Sequence, residues 1–217
     1  MDPATLLRDA AFVVVAYLSG SIPMGVLAAR LSGGPDPRTI GSGRTGGTNA
    51  LRALGRTWAA LVVVGDLAKG TLPVLLARLA GAGAGVEVAC GLAAVIGASR
   101  SIFLGFGGGR GVGTGVGTLL VIQPVAVLLT APVFVIVILV TRYVSLGSLV
   151  SSAAIFPAML LLWLVASGWV SPAYLVYAAV GPVVIWIAHA DNIQRLIAGT
   201  ERKFDLGLLI GHRPGAR

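Results

Sequence analysis

Long apolar runs, separated by short polar segments, make up most of this chain. They fall at about 11–30, 57–79, 85–99, 112–123, 125–141, 144–166 and 172–189. A helix needs about 20 residues to cross a bilayer, so the run at 112–123 is short. Gln123-Pro124 nevertheless separates it from the next run, because proline disfavours helix at the residue before it. The pattern predicts an all-α integral membrane protein with about seven transmembrane helices.

The overall composition agrees with a membrane protein and excludes several other classes. Hydrophobic residues make up 56% of the chain and charged residues only 11%, whereas soluble domains carry about 25% charged residues. The net charge of +8 is not accompanied by a recognition motif, so no nucleic acid is expected as a partner. Cys90 is the one cysteine, which excludes an intrachain disulfide. His189 and His212 are far apart in sequence, and no metal site is predicted.

The lysines and arginines predict how the chain is oriented in the membrane. With seven spans, 13 of the 16 cations lie on one side, namely Arg30, Arg38, Arg44, Arg52, Arg56, Arg100, Arg110, Arg142, Arg195, Arg202, Lys203, Arg213 and Arg217. The positive-inside rule therefore favours seven spans over six, with the N-terminus outside and the C-terminus in the cytoplasm. The expected organisation is a single polytopic membrane domain over 1–217, with cytoplasmic substrate-binding loops at 31–56 and 99–111 and a cytoplasmic tail at 189–217.

The first polar loop contains the sequence "GSGRTGGTNALR" at 41–52. The backbone N–H groups of its glycines can converge on an anion, and Ser42, Thr48 and Asn49 add neutral donors. Arg52 can pair with a phosphate through two parallel hydrogen bonds. The alternative interpretation is an ordinary inter-helix loop whose arginines only follow the positive-inside rule.

A second glycine-rich stretch, "GFGGGRGVGTGVG" at 105–117, carries a single cation, Arg110. If a helix begins near Gly111, its free N–H groups and its dipole point into the glycine-rich turn beside Arg110, which makes an anion site. The alternative is close helix packing, in which Gly111, Gly115 and Gly117 line a contact. The stretch is not a nucleotide fingerprint, because it has neither a P-loop lysine pattern nor a strand–turn–helix context.

Two charged residues lie within the second apolar run. Asp66 and Lys69 are three residues apart and so share one helix face. Charges inside a span are costly, and they are either functional or paired toward a polar interior. Two interpretations stay open: a purely structural pair, and a pair that also presents Lys69 to a cytoplasmic pocket.

Polar residues also follow the later spans. The stretch "HADNIQRLIAGTE" places His189, Asn192 and Arg195 at three-residue spacing, near one helix face. The alternative interpretation of this stretch is an amphipathic helix that lies in the membrane interface. A shorter stretch, "RYVSLGS", places Ser145 at the cytoplasmic edge of the sixth span.

Together these segments predict a cationic, amide-rich pocket at the inner leaflet, which suits a phosphorylated, lipid-linked substrate. The sequence offers no nucleophile–base pair of the usual kind, since no cysteine lies near a histidine and no GxSxG elbow is present. Two rival functions remain. One is a transporter of an organic anion, against which the short and nearly uncharged outer loops argue; the other is a non-catalytic membrane subunit.

These motifs resemble those of the PlsY-type acyl-phosphate:glycerol-3-phosphate acyltransferases of bacterial membranes. They occur in the family's order, from "YLSGSIPMG" through "GSGRTGGTNALR", "DLAKG", "FLGFGGGRGVGTGVG" and "RYVSLGS" to "HADNIQRL" and "GTE". The resemblance implies a multi-pass protein of the bacterial cytoplasmic (inner) membrane. It implies synthesis of lysophosphatidic acid, for phospholipid biosynthesis, from acyl phosphate and glycerol 3-phosphate. It implies no metal or organic cofactor, and it names no protein partner.

The resemblance also carries residue assignments. By position, the family's polar active-site residues are matched by Ser42, Arg52, Ser145, His189 and Asn192, and its phosphate loop by Gly108, Gly109 and Gly111. With the residues argued above, the expected catalytic residues are Ser42, Arg52, Arg110, His189 and Asn192. The expected substrate-binding residues are Thr48, Asn49, Lys69, Gly108, Gly109, Gly111 and Ser145.

The chain departs from the family pattern at four positions. Arg44 stands where the family has an asparagine, and Arg110 stands where it has a lysine. Ala98 and Ser101 replace a histidine and a proline. Arginine keeps the charge of lysine, but it binds phosphate with a planar fork rather than a point charge. These departures make a catalytically altered paralogue a further alternative.

Overall fold

The structure is a computed structural model that describes residues 2–166 and 168–209. His212, Arg213 and Arg217, on which the predictions of metal binding and membrane orientation partly rest, lie outside the described residues. The described residues form no strand, and their α-helices are α1 (Pro3–Ser21), α2 (Met24–Ser32), α3 (Gly47–Leu54), α4 (Arg56–Leu79), α5 (Ala84–Ser99), α6 (Val112–Ile122), α7 (Pro124–Thr141), α8 (Val144–Ala153), α9 (Ile155–Val165), α10 (Pro172–Ala188) and α11 (Ala190–Ile197).

Six of the seven apolar runs coincide with helices to within one residue: α4, α5, α6, α7, the pair α8–α9, and α10. The predicted turn at Gln123-Pro124 is confirmed, since α6 ends before it and α7 begins at the proline. The bounds predicted for the first span, 11–30, are wrong, because the chain there forms two helices that break at Ile22-Pro23. Pro23 has no N–H group and keeps Ile22 out of the helical region, at φ −58° and ψ 118°.

Several of these helices are long and apolar enough to cross a membrane. They are α1, α4, α7 and the continuous segment Val144–Val165 formed by α8 and α9. A fifth candidate is the apolar helix α10 together with the polar helix α11, to which it is joined at a bend of 67°. Two further apolar helices, α5 and α6, are shorter, with 16 and 11 residues. The chain is therefore a multi-pass helical membrane protein.

The pair Asp66–Lys69 supports the break between α1 and α2. The two side chains form an ion pair with Nζ and Oδ1 2.8 Å apart, as their spacing on α4 predicts. The Nζ of Lys69 also donates a hydrogen bond of 3.0 Å to the carbonyl of Ile22. The break takes this carbonyl out of the regular helical pattern, and its donors are the N–H of Met24, at 3.1 Å, and the Nζ of Lys69. A structural role for the pair is thus confirmed.

Glycines bring α4 and α6 into backbone contact. A Cβ atom added at Gly117 would meet the backbone carbonyl of Leu67, and one added at Gly70 would meet the carbonyl of Thr114. Thr71 donates a hydrogen bond of 2.9 Å to the carbonyl of Gly117 across the same contact. Close packing is therefore one role of the second glycine-rich stretch, as the alternative interpretation predicted.

We expect Gly117→Val to lower the thermal stability of the protein in detergent, because the added side chain forces α4 and α6 apart. Overpacking of this kind costs about 1–3 kcal/mol of folding free energy. Gly85→Val is the matched control, since a Cβ atom there has nothing within 4 Å. Equal unfolding temperatures for the two variants would contradict the assignment of this contact.

A partly buried ionic cluster joins three helices near the C-terminal end of α4 and the N-terminal ends of α5 and α10. Arg78 of α4 pairs with Glu87 of α5, with the nearest nitrogen and oxygen 2.6 Å apart, and it donates a bond of 2.9 Å to the hydroxyl of Tyr174 on α10. The Tyr174 hydroxyl in turn donates to Glu87 at 2.8 Å. Each group of the cluster therefore has a partner, which is what burial of charge inside a membrane protein requires.

Candidate active site

A cavity of about 220 Å³ lies where the polar loops of the chain meet. Eleven of the twelve predicted site residues line it: Ser42, Thr48, Asn49, Arg52, Lys69, Gly109, Arg110, Gly111, Ser145, His189 and Asn192. The twelfth, Gly108, packs against the end of α5, where an added Cβ atom would lie 2.7 Å from the carbonyl of Ala98. The fold therefore brings together the loops that the sequence analysis singled out separately.

The lining of this cavity is strongly cationic. Six of its residues carry a positive charge and two carry a carboxylate: Arg44, Arg52, Lys69, Arg110, Arg195 and Arg202 against Asp66 and Glu201. Arg52 forms no ion pair within the described part of the chain, and burial together with the charge of Arg202 lowers the pKa of its guanidinium. A concave site with this excess of guanidinium groups favours a phosphorylated ligand.

Asn49 holds the first loop in shape. Its side-chain amide donates to the carbonyls of Pro37, Ile40 and Arg44, at 2.6, 3.1 and 2.9 Å. Its carbonyl oxygen accepts from the N–H of Ser42 at 3.1 Å. Both polar atoms of the side chain are thus used within the loop, so the geometry favours a structural contribution of Asn49 to the site.

The second glycine-rich stretch forms a turn that leads into α6. Gly111 caps the helix with φ at +74°, a conformation that favours glycine. The N–H of Gly109 donates to the carbonyl of Ala98 at 2.9 Å. Among the described residues, the N–H groups of Arg110 and Gly111 have no acceptor. Arg110, Gly111 and the first turn of α6 line the cavity together, so the glycine-rich turn and a helix N-terminus meet there, as predicted for an anion site.

Two carboxylates that the sequence analysis did not assign to the site organise its arginines. Asp191 lies 3.4 Å from Arg44, 3.0 Å from Arg110 and 3.2 Å from Arg195. Burial alone would raise the pKa of Asp191, but the neighbouring arginines outweigh burial and lower this pKa to about 2. The i,i+4 spacing of Asp191 and Arg195 on a helix is the sequence signal that points to the pair.

The second carboxylate, Glu201, links three polar side chains. It accepts hydrogen bonds from Ser145 at 2.8 Å, from the Asn192 amide at 2.7 Å and from Arg195 at 2.8 Å. The amide oxygen of Asn192 is buried and has no partner among the described residues, so it remains an acceptor for a hydroxyl group. Ser145 and Asn192 are therefore oriented by Glu201 at the wall of the cavity.

His189 is a buried, neutral imidazole. His189 is 2% exposed, and its Nδ1 lies 2.8 Å from the carbonyl oxygen of Ile185. Burial is the main reason why its pKa falls to about 4, and the charges of Arg110 and Arg44 lower it further. A carbonyl can only accept, so Nδ1 carries the proton and Nε2 keeps its lone pair. His189 thus offers a hydrogen-bond acceptor to the cavity at neutral pH.

We expect the ratio of wild-type to His189→Gln reaction rates to be constant from pH 8 to about pH 5.5, since His189 is already neutral there. The ratio then falls as the pH drops through about 4, because protonation removes the Nε2 lone pair. Using the ratio cancels the ionisation of substrate phosphates, whose second pKa is about 6. An inflection of the ratio near the ordinary histidine pKa of about 6.5 would contradict this assignment.

A mostly apolar groove of about 240 Å³ adjoins the cationic cavity. It runs between α6, α7, α8, α9 and α10, and it shares Val112, Phe134 and Ser148 with the cavity. Leu119, Ile155 and Ile185 are among its apolar lining residues. The site therefore combines a charged compartment with an apolar one, as a ligand with a phosphate and a hydrocarbon chain requires.

This fold and site define a multi-pass membrane protein with a cationic cavity beside an apolar groove. A family model described as glycerol-3-phosphate acyltransferase matches residues 10–199. The glycerol-3-phosphate acyltransferase of Geobacter sulfurreducens is 41% identical over 199 residues, which cover 92% of this chain and 99% of that protein. That of Trichlorobacter lovleyi is 44% identical over 193 residues, 89% of this chain and 96% of that protein. The chain therefore belongs to the glycerol-3-phosphate acyltransferase family.

Solved structures agree with this assignment. The crystal structure of PlsY (YgiH), an integral membrane glycerol 3-phosphate acyltransferase, in its glycerol 3-phosphate form matches with a TM-score of 0.83 and 35% identity. The match covers 94% of this chain and all of that one. The lysophosphatidic acid form of the same protein matches with a TM-score of 0.81 and 36% identity, over 94% and 99% of the two chains. The family resemblance of the sequence motifs is thus confirmed.

Proposed function

We propose that this acyltransferase takes its acyl group from acyl phosphate and transfers it to the 1-hydroxyl of glycerol 3-phosphate, which gives lysophosphatidic acid and inorganic phosphate. The observation that carries the proposal is the cationic cavity joined to an apolar groove, since both substrates carry phosphate and one carries a hydrocarbon chain. The reaction supplies phospholipid biosynthesis in the bacterial cytoplasmic membrane.

The proposed topology has seven spans, with the N-terminus outside and the loops 31–56 and 99–111 and the tail 189–217 in the cytoplasm. Residues from both loops and from the tail line one cavity, which supports their lying on one side of the membrane. The excess of cations in these segments supports the cytoplasmic side. Residues 210–217 of the tail lie outside the described residues.

In this proposal the two substrate phosphates bind to different loops of the cavity, the donor phosphate to the glycine-rich loop and the glycerol 3-phosphate to the first loop. The N–H groups of Arg110 and Gly111, the first turn of α6 and the Arg110 guanidinium bind the phosphate of the acyl donor. Arg52 binds the phosphate of glycerol 3-phosphate, because its guanidinium lines the cavity and makes no ion pair with any described residue. Ser42, on the same loop, adds a hydroxyl donor. The apolar groove receives the acyl chain.

Transfer is direct in this proposal, without an acyl-enzyme. The cavity lining contains no cysteine, and none of its three serines donates to His189: Ser145 and Ser148 donate to Glu201 and to the carbonyl of Val144, and the Ser42 hydroxyl has no partner among the described residues. The 1-hydroxyl oxygen attacks the acyl carbonyl carbon, and the bond from that carbon to the phosphate oxygen breaks. Phosphate is a good leaving group, so positioning and charge stabilisation supply most of the catalysis.

The hydroxyl proton goes to the leaving phosphate in this scheme. A phosphate with a second pKa of about 6 is the stronger base, since the pKa of His189 is lowered to about 4. His189 accepts a hydrogen bond from the hydroxyl through Nε2 and so orients the attacking oxygen. The amide oxygen of Asn192 is the second acceptor at this position.

The test is product formation by the purified protein in lipid, given radiolabelled glycerol 3-phosphate with either acyl phosphate or acyl-CoA. We expect lysophosphatidic acid from acyl phosphate and none from acyl-CoA. Equal product from acyl-CoA would contradict the proposed donor. No product from either donor, with protein whose unfolding transition is cooperative, would contradict the proposed function and favour a catalytically altered paralogue.

A further inference from the structure

Asp191 is the point at which three separate segments of the cavity meet. Its carboxylate contacts Arg44 from the first loop, Arg110 from the glycine-rich loop and Arg195 from its own helix. Asp191 contacts these three lining arginines but is not itself among the cavity-lining residues. The carboxylate therefore contacts the lining from outside the space that a substrate would fill.

We propose that Asp191 is a positioning residue, whose carboxylate fixes the guanidinium groups of Arg44 and Arg110 so that their remaining N–H groups face the donor phosphate. This inference rests on the proposed function, since it concerns the same site. Asp191 acts through the two arginines and does not touch the substrate.

The contact between Asp191 and Arg110 uses one nitrogen only. Nη2 of Arg110 donates to both carboxylate oxygens, at 3.1 and 3.0 Å. Nε of Arg110 is buried and has no hydrogen-bond partner among the described residues. A guanidinium is rigid and planar, so holding one nitrogen sets the direction of the others. Asp191 thus fixes the fork, and the Nε–H of Arg110 is left without an acceptor among the described residues.

The charges explain why a carboxylate is needed at this place. Arg44 and Arg110 have no other ion pair among the described residues, whereas Arg195 also pairs with Glu201 at 2.8 Å. Loss of the Asp191 charge therefore leaves Arg195 with a partner and frees the other two. Arg44 and Arg110 would then repel each other. Solvent would screen this repulsion poorly, because the side chain of Arg110 is only 15% exposed.

We expect Asp191→Asn to raise KM for acyl phosphate and to lower kcat, by about tenfold in kcat/KM, because a charged hydrogen bond that orients Arg110 is lost. KM for glycerol 3-phosphate changes less than about twofold, because Arg52 makes no contact with Asp191. Asp191→Glu, which restores the charge, recovers most of the lost kcat/KM. Asp2→Asn is the matched control, since this exposed residue makes no side-chain capping bond on α1.

A double-mutant cycle tests whether Asp191 acts through Arg44. The variants are Asp191→Asn, Arg44→Asn and the two combined. The combined variant should lose less kcat/KM than the two single losses together predict, because each single change already removes the contact between Asp191 and Arg44. Fully additive effects would overturn the proposal for Arg44. If Asp191→Asn lowered kcat/KM equally for both substrates and also lowered the unfolding temperature, Asp191 would have a merely structural role. That result would overturn the whole proposal.

Binding of inorganic phosphate, measured by calorimetry, separates this inference from the proposed function. Wild-type protein that makes no lysophosphatidic acid contradicts the function, whereas phosphate binding still reports on Asp191. We expect Asp191→Asn to weaken phosphate binding about tenfold. Tighter binding would show that the carboxylate competes with phosphate, and unchanged binding would show that it has no effect; either overturns the proposal. If Asp191→Asn does not fold, Asp191→Glu must bind phosphate within about threefold of wild type.

Discussion

Arg110→Ala should lower kcat/KM for acyl transfer by about a hundredfold or more. Removing one preorganised donor from a site where charge develops costs rates of this order. Arg110 is the cation of the glycine-rich loop, lines the cavity and has a buried Nε without a partner among the described residues. The alanine variant loses both the donors and the charge that stabilises the departing phosphate. Steady-state rates with varied acyl phosphate measure the effect.

Two variants control this experiment. Arg100→Ala removes the same charge from the same inter-helix segment, but Arg100 is exposed and does not line the cavity, so its kcat/KM should stay within about twofold of wild type. Arg110→Lys keeps the charge and loses the planar fork, and we expect an intermediate rate. An Arg110→Ala variant as active as Arg100→Ala would refute the phosphate assignment of the loop.

Arg52→Ala should raise KM for glycerol 3-phosphate by about tenfold to a hundredfold, which is the range for the loss of a charged hydrogen bond. The guanidinium of Arg52 is half-buried in the cavity wall, and no described carboxylate pairs with it, so its charge is available to a ligand. KM for acyl phosphate should change much less. Initial rates with each substrate varied in turn distinguish the two constants.

Arg56→Ala is the matched control for Arg52→Ala. Arg56 lies four residues further along the chain, is exposed at the start of α4 and does not line the cavity. Its loss should leave both constants within about twofold of wild type. If Arg52→Ala instead raised KM for acyl phosphate and left KM for glycerol 3-phosphate unchanged, each phosphate would bind at the loop proposed here for the other.

Hydropathy alone predicted most of the helices, because a membrane helix must be apolar along its whole length and its backbone must bond within itself. Hydropathy did not predict the break at Ile22-Pro23, because the residues on both sides of it are apolar. The carbonyl of Ile22 at this break accepts a hydrogen bond from the Nζ of Lys69, which comes from α4, 47 residues further along the chain. A contact of that kind is set by helix packing and leaves no local pattern.

The sequence predicted the hydrogen-bond donors of the candidate site but not the carboxylates that hold them in place. Hydroxyl and arginine side chains in short polar loops contrast with the apolar spans on either side, so Ser42, Arg52 and Arg110 were predictable. Asp191 and Glu201 carry the opposite charge from the expected ligand, and their role depends on which arginines the fold places beside them. The carbonyl of Ala98, which binds Gly109, shows the same limit, because a backbone acceptor has no signature in the sequence.

Two departures from the family pattern prove to be neighbours. Arg44 and Arg110, which stand in place of an asparagine and a lysine, contact the same carboxylate of Asp191. A planar fork can bind a carboxylate through one nitrogen and an anion through others, which the point charge of a lysine does with less fixed geometry. This pairing supports a site that is altered in detail and intact in its arrangement.

A structure with glycerol 3-phosphate bound tests most directly whether the cationic cavity is the site of acyl transfer. We expect the phosphate oxygens at about 3 Å from the guanidinium nitrogens of Arg52, which is hydrogen-bond distance. The 1-hydroxyl should point toward Nε2 of His189 and the mouth of the apolar groove. Glycerol 3-phosphate bound outside the cavity, or with its 1-hydroxyl turned away from both His189 and the groove, would contradict the proposed mechanism.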